Sequence, residues 1–377
     1  MSLKINNLLN TVDALNNYSG KNDTEKIKAL INDVSNNYKE VPMTIVIAKD
    51  FIEINEDLII KGWKNKTIIV SGALWFNNCN AIILKEIQFC KIYFNRIASN
   101  QKGLISINSV DKLTKNGIII WDSSYNTVEI NEIVGFSVGI KLYSEYGNLG
   151  TLYKKIFFNS IWRCKQAIEL ISNSASDNVS YISGWVNENS FWGGMIDCNR
   201  GVKIGQDVGD RATNEPDDQY HDNKFYNIGF EQIRDNVDPV AIDMIQGRSN
   251  AFLYPRFEGS TSVKGYVLIR EEKDALMNVY ETSNYMMEVS RIELNTSKVR
   301  ESGKVCPCNS IVKGDIRENT GMIANKMIAQ QEKIFYEGIR LWIDILRPNT
   351  LNWEYSEKYL ARYKDSNGKI RIIGYDS

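Results

Sequence analysis

Asn189-Ser-Phe191-Trp-Gly-Gly-Met-Ile196-Asp197, Asn223-Lys-Phe225-Tyr-Asn-Ile-Gly-Phe230-Glu231 and Asn250-Ala-Phe252-Leu-Tyr-Pro-Arg-Phe257-Glu258 are three copies of one pattern. In each, an asparagine is followed two residues later by phenylalanine, seven later by a large apolar residue and eight later by a carboxylate. The copies start 34 and then 27 residues apart, a period expected of solenoids. Two weaker copies lie upstream: Asn126 with Val128 and Ile133, and Lys154 with Ile156 and Ile161, both without the terminal acid.

Helical repeats of this length need apolar residues at i, i+3, i+4 and i+7 through most of each unit. These units hold short β-rich runs instead, such as Gly117-Ile-Ile-Ile-Trp121 and Val240-Ala-Ile-Asp-Met-Ile245. Each unit therefore reads as one coil of a parallel β-helix, an all-β solenoid. Coils stack about 4.8 Å apart, so equivalent residues form ladders along the axis. Phe191, Phe225 and Phe252 are expected as an internal aromatic column. The asparagines are expected at a turn, where asparagine tolerates left-handed backbone geometry.

Outside the repeat, Asn22-Asp23-Thr24-Glu25 opens a helix with Asp23 or Thr24 as N-cap and Ile27, Leu30, Ile31 and Val34 on one apolar face. One helix cannot bury that face alone, and the end of a solenoid core needs a cap. From Met43 the chain turns to β-rich runs punctuated by Asn and Gly. The chain divides into residues 1–42, a polar arm through residue 20 and a capping helix; 43–279, the β-helix; and 280–377, a β-rich terminal region that caps the last coil or joins subunits. Glycine 205 to aspartate 222, with Glu215-Pro-Asp-Asp218, reads as a surface loop projecting between two coils.

The run Asn22-Asp-Thr-Glu-Lys-Ile-Lys-Ala-Leu-Ile31 followed by short strands resembles the start of the pectate-lyase-like right-handed β-helix superfamily. Gly184-Trp-Val-Asn-Glu-Asn-Ser-Phe-Trp-Gly-Gly194 is similar to segments of bacteriophage tailspike and capsule-depolymerase proteins. The resemblance covers roughly residues 20 to 260. It implies right-handed coiling, a bacterial surface polysaccharide as partner, a homotrimer, and a place in a virion tail or outside the cell.

Composition narrows the chemistry. The 377 residues carry 45 basic and 46 acidic side chains, and no basic run points to nucleic acid or a membrane surface. No apolar run reaches the length of a membrane span or a secretory signal core. Six scattered cysteines (Cys79, Cys90, Cys164, Cys198, Cys306, Cys308) read as free thiols, and nothing completes a zinc site around Cys306-Pro-Cys308. One histidine, His221, limits histidine-based mechanisms, and no phosphate loop, HExxH helix or GxSxG elbow is present.

Carboxylates remain. Asp197, Glu231 and Glu258 each follow an inward residue by one position, so a strand puts them on the outer face as a ladder. Neighbours about 5 Å apart and ends about 10 Å apart bracket the two geometries of glycoside hydrolysis. Acids so close raise one another's pKa, which lets one act as a general acid. Arg256, Trp192, Tyr226, Tyr254, Trp185 and Tyr220 are the expected sugar-holding residues. The expected activity is polysaccharide hydrolysis without metal or other cofactor. Two alternatives stay open: a polysaccharide lyase acting on a uronate glycan, for which the acidic loop offers Ca²⁺ ligands, and a receptor-binding or structural fibre without catalysis. The same acids also fit a solvated surface row neutralised by Arg234 and Arg256.

Overall fold

A computed structural model describes residues 11–99, 110, 112–145, 150–173, 184–205, 219–235, 238–257, 266–276, 278–281, 290–293, 311–313, 353–356, 359–364 and 370–372. Its strands form a 15-stranded sheet and a 9-stranded sheet, with a separate 3-stranded sheet in 353–372. Every pairing in the two large sheets is parallel, while the small one is antiparallel. Successive strands of each large sheet come from successive repeats.

One repeat lays two segments in the long sheet and one in the second sheet. Ser190–Trp192 and Met195–Cys198 are followed by Arg200–Ile204, and then by the next repeat's Lys224–Tyr226 and Gly229–Ile233. The glycines at the bend allow it: a Cβ on Gly194 would lie 2.0 Å from the carbonyl oxygen of Asn159. β-Branched and aromatic residues alternate between inside and outside along each strand, as in the pattern buried-intermediate-buried of Met43–Ile47. Each coil gives its strands' backbone hydrogen bonds to the coils on either side, the pairing that buried peptide groups require.

The phenylalanine column is present inside. Phe191 and Phe225 have ring centroids 4.6 Å apart and nearly parallel planes, Phe225 and Phe252 4.3 Å, and Tyr280 continues the row 5.7 Å beyond Phe252. Strand register carries the same column back through Ile156, Val128, Ile92 and Ile68. A second column runs Ile133, Ile161, Ile196, Phe230 and Phe257, the last two rings 5.0 Å apart. Both weaker copies therefore lie in register with the three strong ones. The ladder also runs past residue 279, since Val279–Glu281 pairs with Ile311–Lys313.

The asparagines form an internal ladder, and here the expectation of left-handed geometry needs correcting. Asn189, Asn223, Asn250 and Asn278 are fully buried. The Oδ1 of Asn223 accepts from the backbone N–H of Asn189 (3.2 Å) and from its Nδ2 (3.0 Å). Asn250 receives the same pair from Asn223, and Asn278 from Asn250. The left-handed residue is the one before each ladder position: Asn65, Phe89, Tyr125, Tyr153, Glu188, Asp222 and Ser249 all have φ between 54° and 58°. The chain turns one residue early, which frees the asparagine side chain to point inward at the backbone of two coils.

Two ladder positions hold lysines instead. Lys66 donates to the carbonyls of Lys39 (2.9 Å), Val41 (2.7 Å) and Lys64 (2.7 Å), and Lys154 to those of Ser123 and Leu152 (3.2 Å). Burial holds both amines below the ordinary lysine range, Lys154 well below it.

Helix Asp23–Asn37 is capped by Asn22, whose side chain accepts from the N–H of Glu25 at 2.9 Å. Asp23 is inside the helix, and Thr24 is buried with its hydroxyl donating to the Glu53 carbonyl. The side chain with extended backbone just outside the helix takes the capping role, as capping geometry demands. Ile27, Leu30, Ile31 and Val34 are buried in the same core as the coils, as their spacing predicts. Residues 11–17 are not an arm: Thr11–Asp13 pairs with Met43–Ile47, and Ala14–Asn17 is a short helix.

On the second sheet the outward side chains neutralise one another. Lys141, Glu169, Lys203, Asp243 and Arg270 lie in one register row of alternating sign. Lys141–Glu169 is 3.3 Å, Lys203–Glu169 3.6 Å and Arg270–Asp243 2.6 Å. Among the described residues no helix is long and apolar enough to cross a membrane.

Candidate functional site on the long sheet

The outward side chains of the long sheet fall into columns on both sides of its bend. Before the bend, register aligns Tyr93, Glu129, Phe157, Trp192, Tyr226 and Leu253. After it, Glu132, Ser160, Met195, Gly229 and Arg256 align. The guanidinium of Arg256 lies over Gly229, where a Cβ would sit 2.9 Å from Nη2. That glycine leaves the arginine room to reach Glu231, 4.0 Å away.

The three expected acids do not form a row in register. Ile196 pairs with Phe230, but Asp197 pairs with Gln232, because a β-bulge inserts Glu231 as an extra residue. A bulge turns the extra side chain out of the pleat and breaks the alternation on which an eight-residue offset relies. Glu258 lies outside the described residues.

Asp197 is four-fifths covered, and its Oδ2 accepts from Arg234 Nη2 at 2.9 Å. Its Oδ1 is buried without a hydrogen-bond partner. Burial pushes its carboxyl up from the ordinary value, against the opposing pull of Arg234 and Arg163. Glu231 is more open, about one-third exposed.

Trp192 is stacked between Phe157 (6.1 Å) and Tyr226 (4.0 Å). At 4.0 Å no ring can enter between Trp192 and Tyr226, so these residues offer edges and the tyrosine hydroxyl to a ligand, not their shared faces. Trp185 and Tyr254 are about half exposed. Tyr254 sits at the bend with φ 57°. Tyr220 is a correction: it is fully buried, and its hydroxyl accepts from the Ser172 N–H at 2.6 Å. The ring fills the core and its one polar atom is satisfied by backbone, so it offers nothing to a sugar, while residues 206–218 of the expected surface loop lie outside the described residues.

Two features of the corner were not anticipated. Phe89, Tyr125 and Tyr153 form an exposed stack, with centroids 5.2 and 4.9 Å apart. In the same register position further on, Glu188 and Asp222 approach His221, whose Nδ1 lies 3.0 Å from Asp222 Oδ2. The ligand atoms of these three lie within 4.8 Å of one another, close enough for a metal ion. Both features are readable in the sequence once the residue before each ladder position is aligned, one residue ahead of the asparagine that opens each repeat. No protein family, curated protein or solved structure matches the chain.

Proposed function

We propose that this chain is the body of a tailspike-like protein, a right-handed β-helix closed at one end by helix Asp23–Asn37, that binds a bacterial surface polysaccharide and hydrolyses it as a homotrimer. The observation that supports it is Asp197: a largely covered carboxyl pushed up by burial, one coil from the more open carboxylate of Glu231. Paired carboxyl groups in unlike environments are what glycoside hydrolysis requires. In this reading Asp197 gives its proton to the glycosidic oxygen as the C–O bond breaks. Glu231, with Glu258 as the other candidate, takes a proton from the water that attacks the anomeric carbon. Arg256, Trp192, Tyr226, Tyr254 and Trp185 flank the sugar.

The test is reducing-end release from purified bacterial capsules by the parent, Asp197→Asn and Glu231→Gln, each checked for unchanged circular dichroism. Loss of either group costs at least roughly 100-fold, the scale of general acid–base catalysis. Rates equal to the parent in both variants exclude these acids. An unsaturated product absorbing in the ultraviolet identifies a lyase.

One observation favours a second reading, a fibre that binds without cleaving: each acid already faces a cation, Asp197 with Arg234 and Glu231 with Arg256. Binding of a capsule with no reducing-end release selects it.

A further inference from the structure

The outer face of the long sheet carries a second periodicity, in charge. Strand register aligns Lys91, Thr127, Lys155, Ser190 and Lys224 in one outward column. Lysine occupies every second coil, so the charges stand about 10 Å apart at the coil spacing. All three lysines are exposed, and none forms an ion pair among the described residues. That sets them apart from the row Lys141, Glu169, Lys203, Asp243 and Arg270 on the second sheet, where opposite charges pair.

Aromatic residues border Lys91 and Lys155 on both sides and Lys224 on one. Two residues before lie Phe89, Tyr125 and Tyr153, and then Glu188 and Asp222 beside His221; two residues after lie Tyr93, Phe157, Trp192 and Tyr226, with Glu129 as the one acid in that second row. Contiguous exposed aromatic residues mark an interaction surface, and lysines standing free among them suit an anionic partner.

Building on the glycan-binding reading, we propose that this strip binds a linear anionic polysaccharide along the helix axis, one with a single negative group per two sugar rings. An extended glycan advances by about one coil per ring, so alternate rings meet lysines. Ring edges and tyrosine hydroxyls between them meet sugar C–H and O–H groups. The anion is a carboxylate or a phosphate, which the lysines bind alike. Single-stranded nucleic acid fits less well, because it carries one charge per nucleotide and needs open ring faces on which bases stack. Here the faces in each stack are turned to one another at 4.0 to 6.1 Å.

Binding of the full chain is measured by calorimetry to four polymers. They are an alternating uronic acid–N-acetylhexosamine chain, the same chain with its carboxyls reduced, a glycan with one phosphodiester per two sugars, and single-stranded DNA. The parent binds one or both anionic glycans and loses affinity with salt. Replacing Lys91, Lys155 and Lys224 together by Gln weakens this roughly tenfold, each exposed pair being worth roughly two- to fivefold. The triple Lys→Arg variant keeps it, and Lys165→Gln, an exposed lysine off the strip, changes nothing.

Whichever of the uronate and phosphodiester chains binds names the anion. Equal binding of the reduced chain, parent-like binding by the triple Gln variant, or tighter binding of DNA overturns the proposal. If bacterial capsules are bound in these cases, the glycan reading survives its loss. If neither these glycans nor any capsule is bound, both fall.

Discussion

Asn223→Ala removes the centre of the internal amide ladder. The Oδ1 of Asn223 accepts two hydrogen bonds from Asn189, and its Nδ2 donates to the Val186 carbonyl (2.9 Å) and to Asn250 Oδ1 (3.0 Å). Some groups recover: Asn189 Nδ2 keeps the Thr151 carbonyl, and Asn250 Oδ1 keeps the N–H of residue 223. The N–H of Asn189 loses its acceptor oxygen in a fully buried site. One orphaned buried donor costs about 1–3 kcal/mol and the net loss of the other bonds adds to it, giving about 3–5 kcal/mol in all. That is a large share of an ordinary protein's stability. The control is Asn131→Ala, in the exposed ladder of Asn95, Asn131 and Asn159, where water replaces the lost partners and the change stays within about 0.5 kcal/mol. Equilibrium urea unfolding followed by circular dichroism and tryptophan fluorescence measures both. A cost for Asn223→Ala within 1 kcal/mol of the Asn131→Ala value would refute the reasoning that burial makes this ladder matter.

A buried lysine and a crowded glycine give two further outcomes. Lys154 has a folded pKa well below its unfolded one, so between the two the unfolded chain holds more protons and stability rises with pH. Unfolding midpoints of the parent should climb from neutral toward about pH 9.5, below the range where exposed tyrosines ionise. Lys154→Met should raise the midpoint at pH 7 and flatten that climb; an unchanged slope contradicts it. Gly194→Ala places a methyl 2.0 Å from the Asn159 carbonyl oxygen, so it should destabilise by about 1–3 kcal/mol through overpacking, whereas a neutral result in thermal unfolding would place the bend elsewhere.

The columns were legible in the sequence because they rest on identity at fixed offsets. Phenylalanine recurs two residues after asparagine, and nothing between those two positions changes the register. The acids were less legible for the opposite reason. Asp197 and Glu231 have the same offset from their asparagines, yet the bulge at Glu231 shifts the pairing by one residue, and a bulge is a backbone event with no residue signature here. Tyr220 stands in a polar stretch of sequence, and only packing within the core draws it inside. The lysine strip was hidden by its period of two coils, which is visible only after the unequal repeats are laid in register. Burial of Lys154 was hidden too, since one of two adjacent lysines ordinarily reads as surface.

The claim that residues about thirty apart stack directly over one another is tested most directly by distances between spin labels. One label replaces the side chain of Lys91, and the other is placed in turn at Ser190, Lys224, Ala251 and Val279, all in its register column. The distances should rise evenly by about 5 Å per coil, from about 14 Å to about 29 Å. A series that is flat, or that varies without regard to coil number, would contradict the stacked coil.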